Sequence, residues 1–302
     1  MMHYLVILLD DTSVSYCHAD NPHTERRLIP LETLKRGILY AMKQNLMIQF
    51  VYPDYELPQA YLDAIDSIDH HDIVPAPRQG DVQVLSMSTA ERSEAVCVLR
   101  LTKANLFASE AQVSALLRNV SRLNIVITDI ENFADADLPT YSALLEKWAA
   151  VLKEEYLASR TPQLNLLTDR MMLTKPNHCN AGVENITLAP NGRYYLCPAF
   201  YYSDPDSSID PDDIKNQQLL RLDHAPLCRH CDALHCRRCV WLNQKSTLDI
   251  NTPSHEQCTV AHTEREASRR LLEEIRKQGQ FMPEVQIDKL NYNDPFEVRK
   301  QW

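Results

Sequence analysis

Tyr4-Leu-Val-Ile-Leu-Leu9 is a continuous apolar run of the kind found in strands that are buried on both faces of a parallel sheet. Apolar residues then recur at three- and four-residue spacing from about residue 31 to residue 45, which predicts an amphipathic helix. A second apolar run, Met47 to Val51, follows directly. This strand–helix–strand order predicts one βαβ unit, and therefore a parallel sheet at the start of the chain.

The same alternation of strands and helices continues over the first 173 residues. About five strands are too few to close an eight-stranded barrel, so the expected fold is α/β with a partial parallel (β/α) barrel. His70 and His71 are expected in a polar loop between strands. Further strands are predicted at Val82–Leu85, Ala95–Leu101 and Leu123–Thr128, and further helices at Ser109–Val120 and Thr140–Tyr156.

The composition argues against several classes of protein. The 31 Lys and Arg residues against 41 Asp and Glu give a net charge of −10, which disfavours a nucleic-acid partner. Only five glycines occur, and none has the spacing of a dinucleotide or phosphate loop. No apolar stretch approaches the ~20 residues of a membrane span, and the N-terminus lacks the basic flank of a signal peptide. We therefore expect a cytoplasmic protein with no membrane or nucleic-acid partner.

Seven of the nine cysteines form an ordered array in the C-terminal third of the chain. In a reducing compartment, closely spaced cysteines indicate metal ligands rather than disulfides. The middle of the array contains two Cys-x2-Cys pairs, and this spacing lets two sulfurs reach one metal centre at ~2.3 Å. The array comprises Cys179, Cys197, Cys228, Cys231, Cys236, Cys239 and Cys258.

Local features of the array extend this interpretation. Pro190-Asn-Gly192 between strand-like flanks predicts a hairpin that brings Cys197 back towards Cys179. Cys258 lies at the start of a predicted helix, whose positive end favours the thiolate. Seven thiolates divide naturally as four plus three, which suggests two centres, but spacing alone does not separate zinc from iron–sulfur.

Four basic side chains lie near the array: Arg229, Arg237, Arg238 and Lys245. They could offset a net-negative thiolate set, dock a peptide or be solvated.

The loop after the first strand is a second candidate site, because ligands gather at the carboxyl ends of strands in an open parallel sheet. It contains Cys17, His18 and His23 together with three aspartates. These groups could support a mononuclear metal site, or a nucleophile with its base, and an ordinary polar loop is the alternative. Cys97 lies inside a predicted strand and is expected to be a small buried apolar residue.

The cysteine array resembles the seven-cysteine SPASM domain of radical SAM peptide and protein maturases. The order Cys179-x12-Gly192-x4-Cys197, then Cys228-x2-Cys231-x4-Cys236-x2-Cys239, then Cys258 matches that domain, although two intervals of the middle block are commonly one residue longer there. The resemblance covers about residues 179 to 263. It implies two auxiliary 4Fe-4S clusters: one held by Cys228, Cys231, Cys236 and Cys258, and one held by Cys179, Cys197 and Cys239 with one iron open or otherwise ligated.

The N-terminal half resembles the start of a radical SAM core but lacks its essential motif. That family binds the cluster for S-adenosylmethionine through three cysteines at x3 and x2 spacing, whereas this loop has Cys17 alone, with Asn21 four positions on. The glycine-rich segment expected after the second strand is replaced by Tyr52-Pro-Asp-Tyr-Glu56. S-adenosylmethionine is therefore not expected as a cofactor.

Over nearly its whole length the chain is similar to the degenerate CXXX repeat peptide maturases, which carry phrases like Cys179-Asn-Ala-Gly182 and Cys236-Arg-Arg-Cys-Val-Trp-Leu-Asn243. The resemblance implies maturation of a ribosomally synthesised, cysteine-rich precursor peptide. The chain would act as an assisting subunit of a radical SAM enzyme, relaying electrons or presenting the peptide, or as an enzyme that uses the open iron or the Cys17 loop. A zinc-stabilised peptide or protein interaction module with no redox role is the alternative.

These expectations give a division of the chain into three parts. Residues 1–173 are expected to form the degenerate radical-SAM-like α/β domain. Residues 174–277 are expected to form a small cysteine-rich α+β domain like SPASM, and residues 278–302 a C-terminal tail.

Overall fold

The computed structural model describes residues 2–86 and 93–289, with side chains from residue 96 in the second range. In these ranges nine strands form one sheet, and its spatial order is β7-β6-β5-β4-β3-β2-β1-β8-β9. The strands are β1 (Tyr4–Leu8), β2 (Met47–Val51), β3 (His70–Pro75), β4 (Val82–Leu85), β5 (Ser93–Leu101), β6 (Val120–Ile127), β7 (Gln163–Leu164), β8 (Asn185–Leu188) and β9 (Tyr194–Tyr195).

Helices connect the parallel strands. Those of the first 173 residues are α1 (Leu31–Gln44), α2 (Gln59–Ile65), α3 (Lys103–Ala108), α4 (Glu110–Leu117), α5 (Leu138–Leu157) and α6 (Asp169–Met172). The cysteine-rich part contributes α7 (Pro198–Ser203), α8 (Val240–Thr247) and α9 (His255–Arg276).

Neighbouring strands are parallel from β7 through to β8, and only β8 and β9 are antiparallel. The predicted hairpin is therefore present, and Gly192 adopts a φ of 78° in its turn, where a side chain would be strained. Because β8 pairs directly with β1, the sheet continues across the boundary expected at residue 173. The division into domains stays a prediction.

The sheet is covered on both faces, which explains the apolar runs of its central strands. On the outer face, Leu5 and Ile7 pack with α1, and Leu99 and Leu123 pack with α4 and α5. The inner face carries Val6, together with partners from the hairpin and α7. The inner face also lines the cavity described below.

Two details of the sequence interpretation are wrong. His70 and His71 lie in β3 rather than in a loop, because they pair in parallel with Ile48 and Gln49 of β2. The helix predicted at 109–120 is present as α4 but ends early, at Leu117, because Val120 already pairs with Ser93 as the first residue of β6.

A few further outcomes complete the fold. Cys97 is fully buried in the core of the outer face, as expected. Within the described ranges, none of the helices is long and apolar enough to cross a membrane. Of the expected tail, residues 290–302 lie outside the described residues.

Candidate functional site

A cavity of about 570 Å³ lies between the inner face of the sheet and the cysteine-rich part of the chain. Strands β1, β2, β5 and β6 line one side, through residues such as Val6, Gln49, Val98 and Asn124. Residues 177–179, residues 235–237, Cys239 and the first half of α9 line the other. The cavity is thus built jointly by the parallel sheet and the cysteine array.

Cys179, Cys197 and Cys239, here called the dispersed set, all lie on the cavity wall. A short backbone pairing joins the segments of Cys179 and Cys239: the Cys179 amide donates to the Arg237 carbonyl at 2.9 Å, and the Asn177 amide donates to the Leu234 carbonyl at 2.9 Å. The β8–β9 hairpin returns the chain to Cys197. The structure therefore gathers the three thiols that the SPASM resemblance assigns to one cluster.

The thiols of the dispersed set are disfavoured as free thiolates. Burial raises the pKa of the Cys197 thiol, and repulsion from charges on Cys239, Cys17 and Cys179 raises it further. Burial likewise raises the pKa of the Cys239 thiol, and the charge of Cys179 adds to the effect. A metal centre that neutralises the thiolates would remove this penalty, because metal ligation displaces the thiol proton.

Cys228, Cys231, Cys236 and Cys258, here called the local set, come from two short segments. The Cys231 amide donates to the Cys228 carbonyl at 3.1 Å, which folds the first Cys-x2-Cys pair into a tight turn. Cys258 lies in the first turn of α9, which begins after Ser254, whose hydroxyl caps the helix by accepting from the Gln257 amide at 3.2 Å.

The ionisation expected for Cys258 differs from what the structure gives. The helix start was expected to favour the thiolate, but burial raises the pKa of Cys258 to about 12, with repulsion from charges on Cys228 and Cys231 as the next causes. Burial outweighs the helix end because the thiol sits among like-charged neighbours in an apolar setting. Because charges on Cys228 and Cys231 raise the pKa of Cys258, the three thiols lie near one another.

Arg238 provides a buried positive charge beside the local set. Its side chain is 1% exposed, and its guanidinium donates to the Leu220 carbonyl at 2.9 Å and to Asn251 Oδ1 at 2.6 Å. Its Nε has no hydrogen-bond partner in the part of the chain that the structure describes. Burial lowers the pKa of Arg238, while charges on Cys228 and Cys236 raise it. A net-negative thiolate centre fits this position, because it would compensate the buried guanidinium.

The other basic residues of the array have different surroundings. Lys245 pairs with Glu131 at 2.5 Å and lies over the ring of Trp241. Arg237 is exposed and lines the cavity, and Arg229 is exposed. The four cations therefore have different surroundings, and Arg238 is the one whose burial beside the local set fits compensation of a net-negative thiolate set.

Zinc and iron–sulfur centres require different arrangements of the same thiolates. A zinc ion takes all its sulfurs at ~2.3 Å from one point, whereas a four-iron cluster takes each thiolate on a separate iron. Within residues 2–86 and 93–289, no group of three or more His, Cys, Asp or Glu side chains is arranged to hold a single metal ion. Metal analysis distinguishes the two kinds of centre.

The loop after β1 contributes two of its three candidate residues to the cavity. Cys17 and His18 line it, whereas His23 stacks on the ring of Tyr201 with 5.0 Å between ring centroids. His18 Nδ1 lies 2.9 Å from the Ile127 carbonyl at the end of β6, and burial lowers the pKa of His18. The loop therefore does not bring Cys17, His18 and His23 together as one group.

A buried polar network on the cavity wall was missed by the sequence reasoning. Glu264 of α9 accepts from the Tyr141 hydroxyl at 2.6 Å, and its other oxygen lies 3.1 Å from His235 Nε2. Both His235 and Glu264 line the cavity. A signal was present, because Glu264 occupies a position in the apolar stripe of α9 that otherwise holds Val260, Ala267 and Leu271.

Comparison with solved structures shows the fold. The chain is similar to native anSMEcpe with bound AdoMet and Cp18Cys peptide, with 10% identity, a TM-score of 0.56, and coverage of 92% of this chain and 100% of that chain. It is also similar to a histidine-tagged form of anSMEcpe with bound AdoMet, with 10% identity, a TM-score of 0.57, and coverage of 91% and 96%. Native anSMEcpe with bound AdoMet and Kp18Cys peptide gives 10% identity, a TM-score of 0.55, and coverage of 91% and 99%.

These similarities confirm the predicted fold class, an α/β partial parallel barrel resembling a radical SAM core and continued by a cysteine-rich part. No family model matches the sequence, and no curated protein matches it. At 10% sequence identity, the structural similarity establishes the fold alone.

Proposed function

We propose that this chain takes part in the maturation of a ribosomally synthesised, cysteine-rich peptide of the CXXX repeat type, as a pseudo-radical-SAM protein. Its SPASM-like part would hold two iron–sulfur clusters, which relay electrons or present the peptide. The observation that carries the proposal is the cavity that places the dispersed set opposite the inner face of the sheet. A substrate in that cavity would lie against the metal centre.

The polar groups of the cavity suit a peptide. Four residues that line the cavity each carry a buried polar atom with no hydrogen-bond partner among the described residues: Asn124 Oδ1, His178 Nε2, His235 Nδ1 and Gln257 Oε1. Buried polar atoms without partners are costly, so a ligand that lets these side chains turn and pair with its donors and acceptors would be favoured. Peptide backbone offers both at every residue. The similar anSMEcpe structures, with bound Cp18Cys and Kp18Cys peptides, add support for a peptide substrate.

The residues assigned to the two clusters are the local set and the dispersed set. The buried Arg238 beside the local set and the cavity position of the dispersed set support this assignment. When bound, iron–sulfur clusters supply one-electron transfer, with a potential set by net charge, hydrogen bonds and solvent exposure. The protein contributes the cavity wall for one centre and a buried cation for the other.

The chain is proposed to assist a radical SAM enzyme rather than to start radical chemistry itself. The similar anSMEcpe structures contain AdoMet. In this chain the loop after β1 provides Cys17 alone, and Tyr52, which follows β2, is buried under the Arg78 guanidinium at 4.2 Å from its ring centroid. We therefore expect no cleavage of S-adenosylmethionine by the chain alone.

The test uses full-length protein purified without air. It would be mixed with a synthetic peptide of repeated Cys-x-x-x units, with a matched peptide in which serine replaces cysteine as the control. Peptide binding is measured by fluorescence anisotropy, and cleavage of S-adenosylmethionine is measured in parallel. We expect binding of the cysteine peptide and no cleavage. Failure of the cysteine peptide to bind, or cleavage without a partner, would contradict the proposal.

Variants locate the binding to the cavity. Gln257→Leu and Asn124→Leu remove lining amides while keeping similar volume, and each is expected to weaken peptide binding about tenfold, because a hydrogen bond is worth about 0.5–1.5 kcal/mol and an unpaired partner costs more. Gln44→Leu, at the exposed end of α1, is the matched control. Equal affinity in all three variants would place the peptide elsewhere.

A further inference from the structure

We propose that Cys17 supplies the fourth thiolate to the metal centre of the dispersed set. This inference rests on the metal centres of the proposed function and goes beyond it, because the seven-cysteine array leaves that centre with three thiolates. The proposal assigns a structural role to the loop after β1, 162 residues before Cys179 in the chain.

The loop turns back over the inner face of the sheet instead of extending into solvent. Ala19 is buried in the same core as Val6 of β1 and Val98 of β5, and Cys17 packs against that core. The core also includes Cys197. Residues 17–19 are thus carried to the region that the hairpin and α7 occupy, although the sequence separates them widely.

Hydrogen bonds from two strands hold the loop in this position. Arg100 of β5 donates through Nε to the Cys17 carbonyl at 2.8 Å, and through Nη2 to the Ala19 carbonyl at 2.9 Å and to Asp20 Oδ1 at 2.7 Å. His18 Nδ1 contacts the last residue of β6. The segment from the Cys17 carbonyl to Asp20 is therefore anchored to the sheet, which helps to preorganise Cys17 as a ligand.

The Cys17 thiol itself shares the cavity with the dispersed set. Cys17, Cys179, Cys197 and Cys239 are the lining cysteines besides Cys236 of the local set. The Ser15 hydroxyl lies 3.7 Å from Cys17 Sγ and donates to the Ala19 carbonyl at 2.6 Å, which adds a further hydrogen bond within the loop.

With Cys17 included, eight of the nine cysteines divide into two sets of four. The ninth, Cys97, is fully buried in the core on the outer face of the sheet and does not line the cavity. Four thiolates are the usual complement of a 4Fe-4S cluster. A fully ligated centre would have no open iron for the peptide, so its role would be electron relay rather than direct substrate binding.

The test compares three variants of the full-length protein, purified without air: Cys17→Ala, Cys179→Ala as a reference for the dispersed set, and Cys97→Ala as the matched control. Iron and sulfide per chain are measured, and electron paramagnetic resonance spectra are recorded. We expect about eight irons in the unmodified protein and in Cys97→Ala. Cys17→Ala should fall to about four, as Cys179→Ala does, or keep about seven with a three-iron signal. Eight irons and an unchanged spectrum in Cys17→Ala would overturn the proposal.

A second measurement does not depend on folding of a variant. The unmodified protein is treated with an alkylating reagent before and after metal removal, and modification of Cys17 is quantified by mass spectrometry. Protection of Cys17 only in the metal-loaded protein supports ligation, and equal modification in both states contradicts it. Failure of the iron–sulfur assignment is distinguishable: the protein would hold about two zinc ions without sulfide, and loss of one zinc in Cys17→Ala would still identify Cys17 as a ligand.

Discussion

The local set and the dispersed set differ in how the fold assembles them. All four cysteines of the local set lie between residues 228 and 258, in one turn-rich segment and the first turn of α9. The dispersed set draws on segments before β8, after β9 and before α8, which the β8–β9 hairpin and the backbone pairing of residues 177–179 with residues 234–237 bring together on the cavity wall. One set is fixed by local chain geometry, and the other depends on pairing between segments that are far apart in the sequence.

This difference predicts how each centre would behave. A local set can gather metal while the rest of the chain is incompletely folded, since its ligands are close in sequence and little loop closure is required. The dispersed set forms only after its distant segments have paired. Loss of metal from the local set should therefore disturb the cysteine-rich part, whereas loss from the dispersed set should leave it folded.

The largest effect is expected from Cys228→Ala combined with Cys231→Ala. We expect about half of the iron to be lost and the melting temperature to fall sharply, because a structural metal site contributes on the order of 10 kcal/mol of binding free energy to folding. Cys197→Ala should lose a similar share of iron with a smaller fall in melting temperature. Equal destabilisation by both changes would break the distinction between the sets.

Asp232→Asn tests the framework behind the local set. Asp232 is 1% exposed and accepts from the buried Arg265 Nε at 2.7 Å, and Arg170 Nη2 lies 3.5 Å from it. Removing this charge leaves buried guanidinium groups undercompensated, so the free energy of unfolding should fall by about 3–5 kcal/mol. Denaturant unfolding measures it. Asp54→Asn, on an exposed pair with Arg26, is the control and should change stability by less than about 1 kcal/mol.

Arg100→Met tests the anchoring of the loop that reaches the dispersed set. Three hydrogen bonds to residues 17–20 are lost, each a bond to a charged donor worth about 1.5–3 kcal/mol at most. Amide hydrogen exchange of residues 15–21 should accelerate, and iron loss should be confined to one centre. Arg118→Met, whose exposed side chain pairs with Glu154 at 3.4 Å, is the control. Unchanged exchange in the loop would show that Arg100 does not hold it.

The smallest effect concerns thiol reactivity in metal-free protein. Cys179 is exposed, whereas Cys258 is partly buried with its pKa raised to about 12. Because Cys179 is the more accessible thiol it should be alkylated faster, although burial raises its pKa as well. Since the thiolate is the reactive form, the rate at Cys258 should keep rising above pH 9. A pH profile of alkylation measures this. A rate at Cys258 that levelled off near pH 9 would contradict the burial of this thiol beside Cys228 and Cys231.

The sequence predicted the local features of the molecule better than the long-range ones. The apolar run of β1, the helix α1 and the turn at Gly192 follow from periodicity and turn chemistry, and the structure contains all three. The two short Cys-x2-Cys pairs could likewise be recognised from their spacing in the sequence. The position of Cys17 over the inner face was not, because it depends on Arg100, which lies 83 residues further along the chain.

Burial explains the remaining differences. The pKa of Cys258 was expected to follow the helix end, but it follows the apolar surroundings that only the packed fold provides. His70 was assigned to a loop because its side chain is polar, yet parallel pairing with β2 places it in a strand. The Glu264 network went unnoticed because its partners, Tyr141 and His235, come from other segments.

The most direct test of the account is the content of iron, sulfide and zinc per chain after purification without air. Two full clusters predict about eight irons and eight sulfides, distributed equally between the two sets. About two zinc ions without sulfide would contradict the proposed electron relay and leave a zinc-stabilised interaction module in its place.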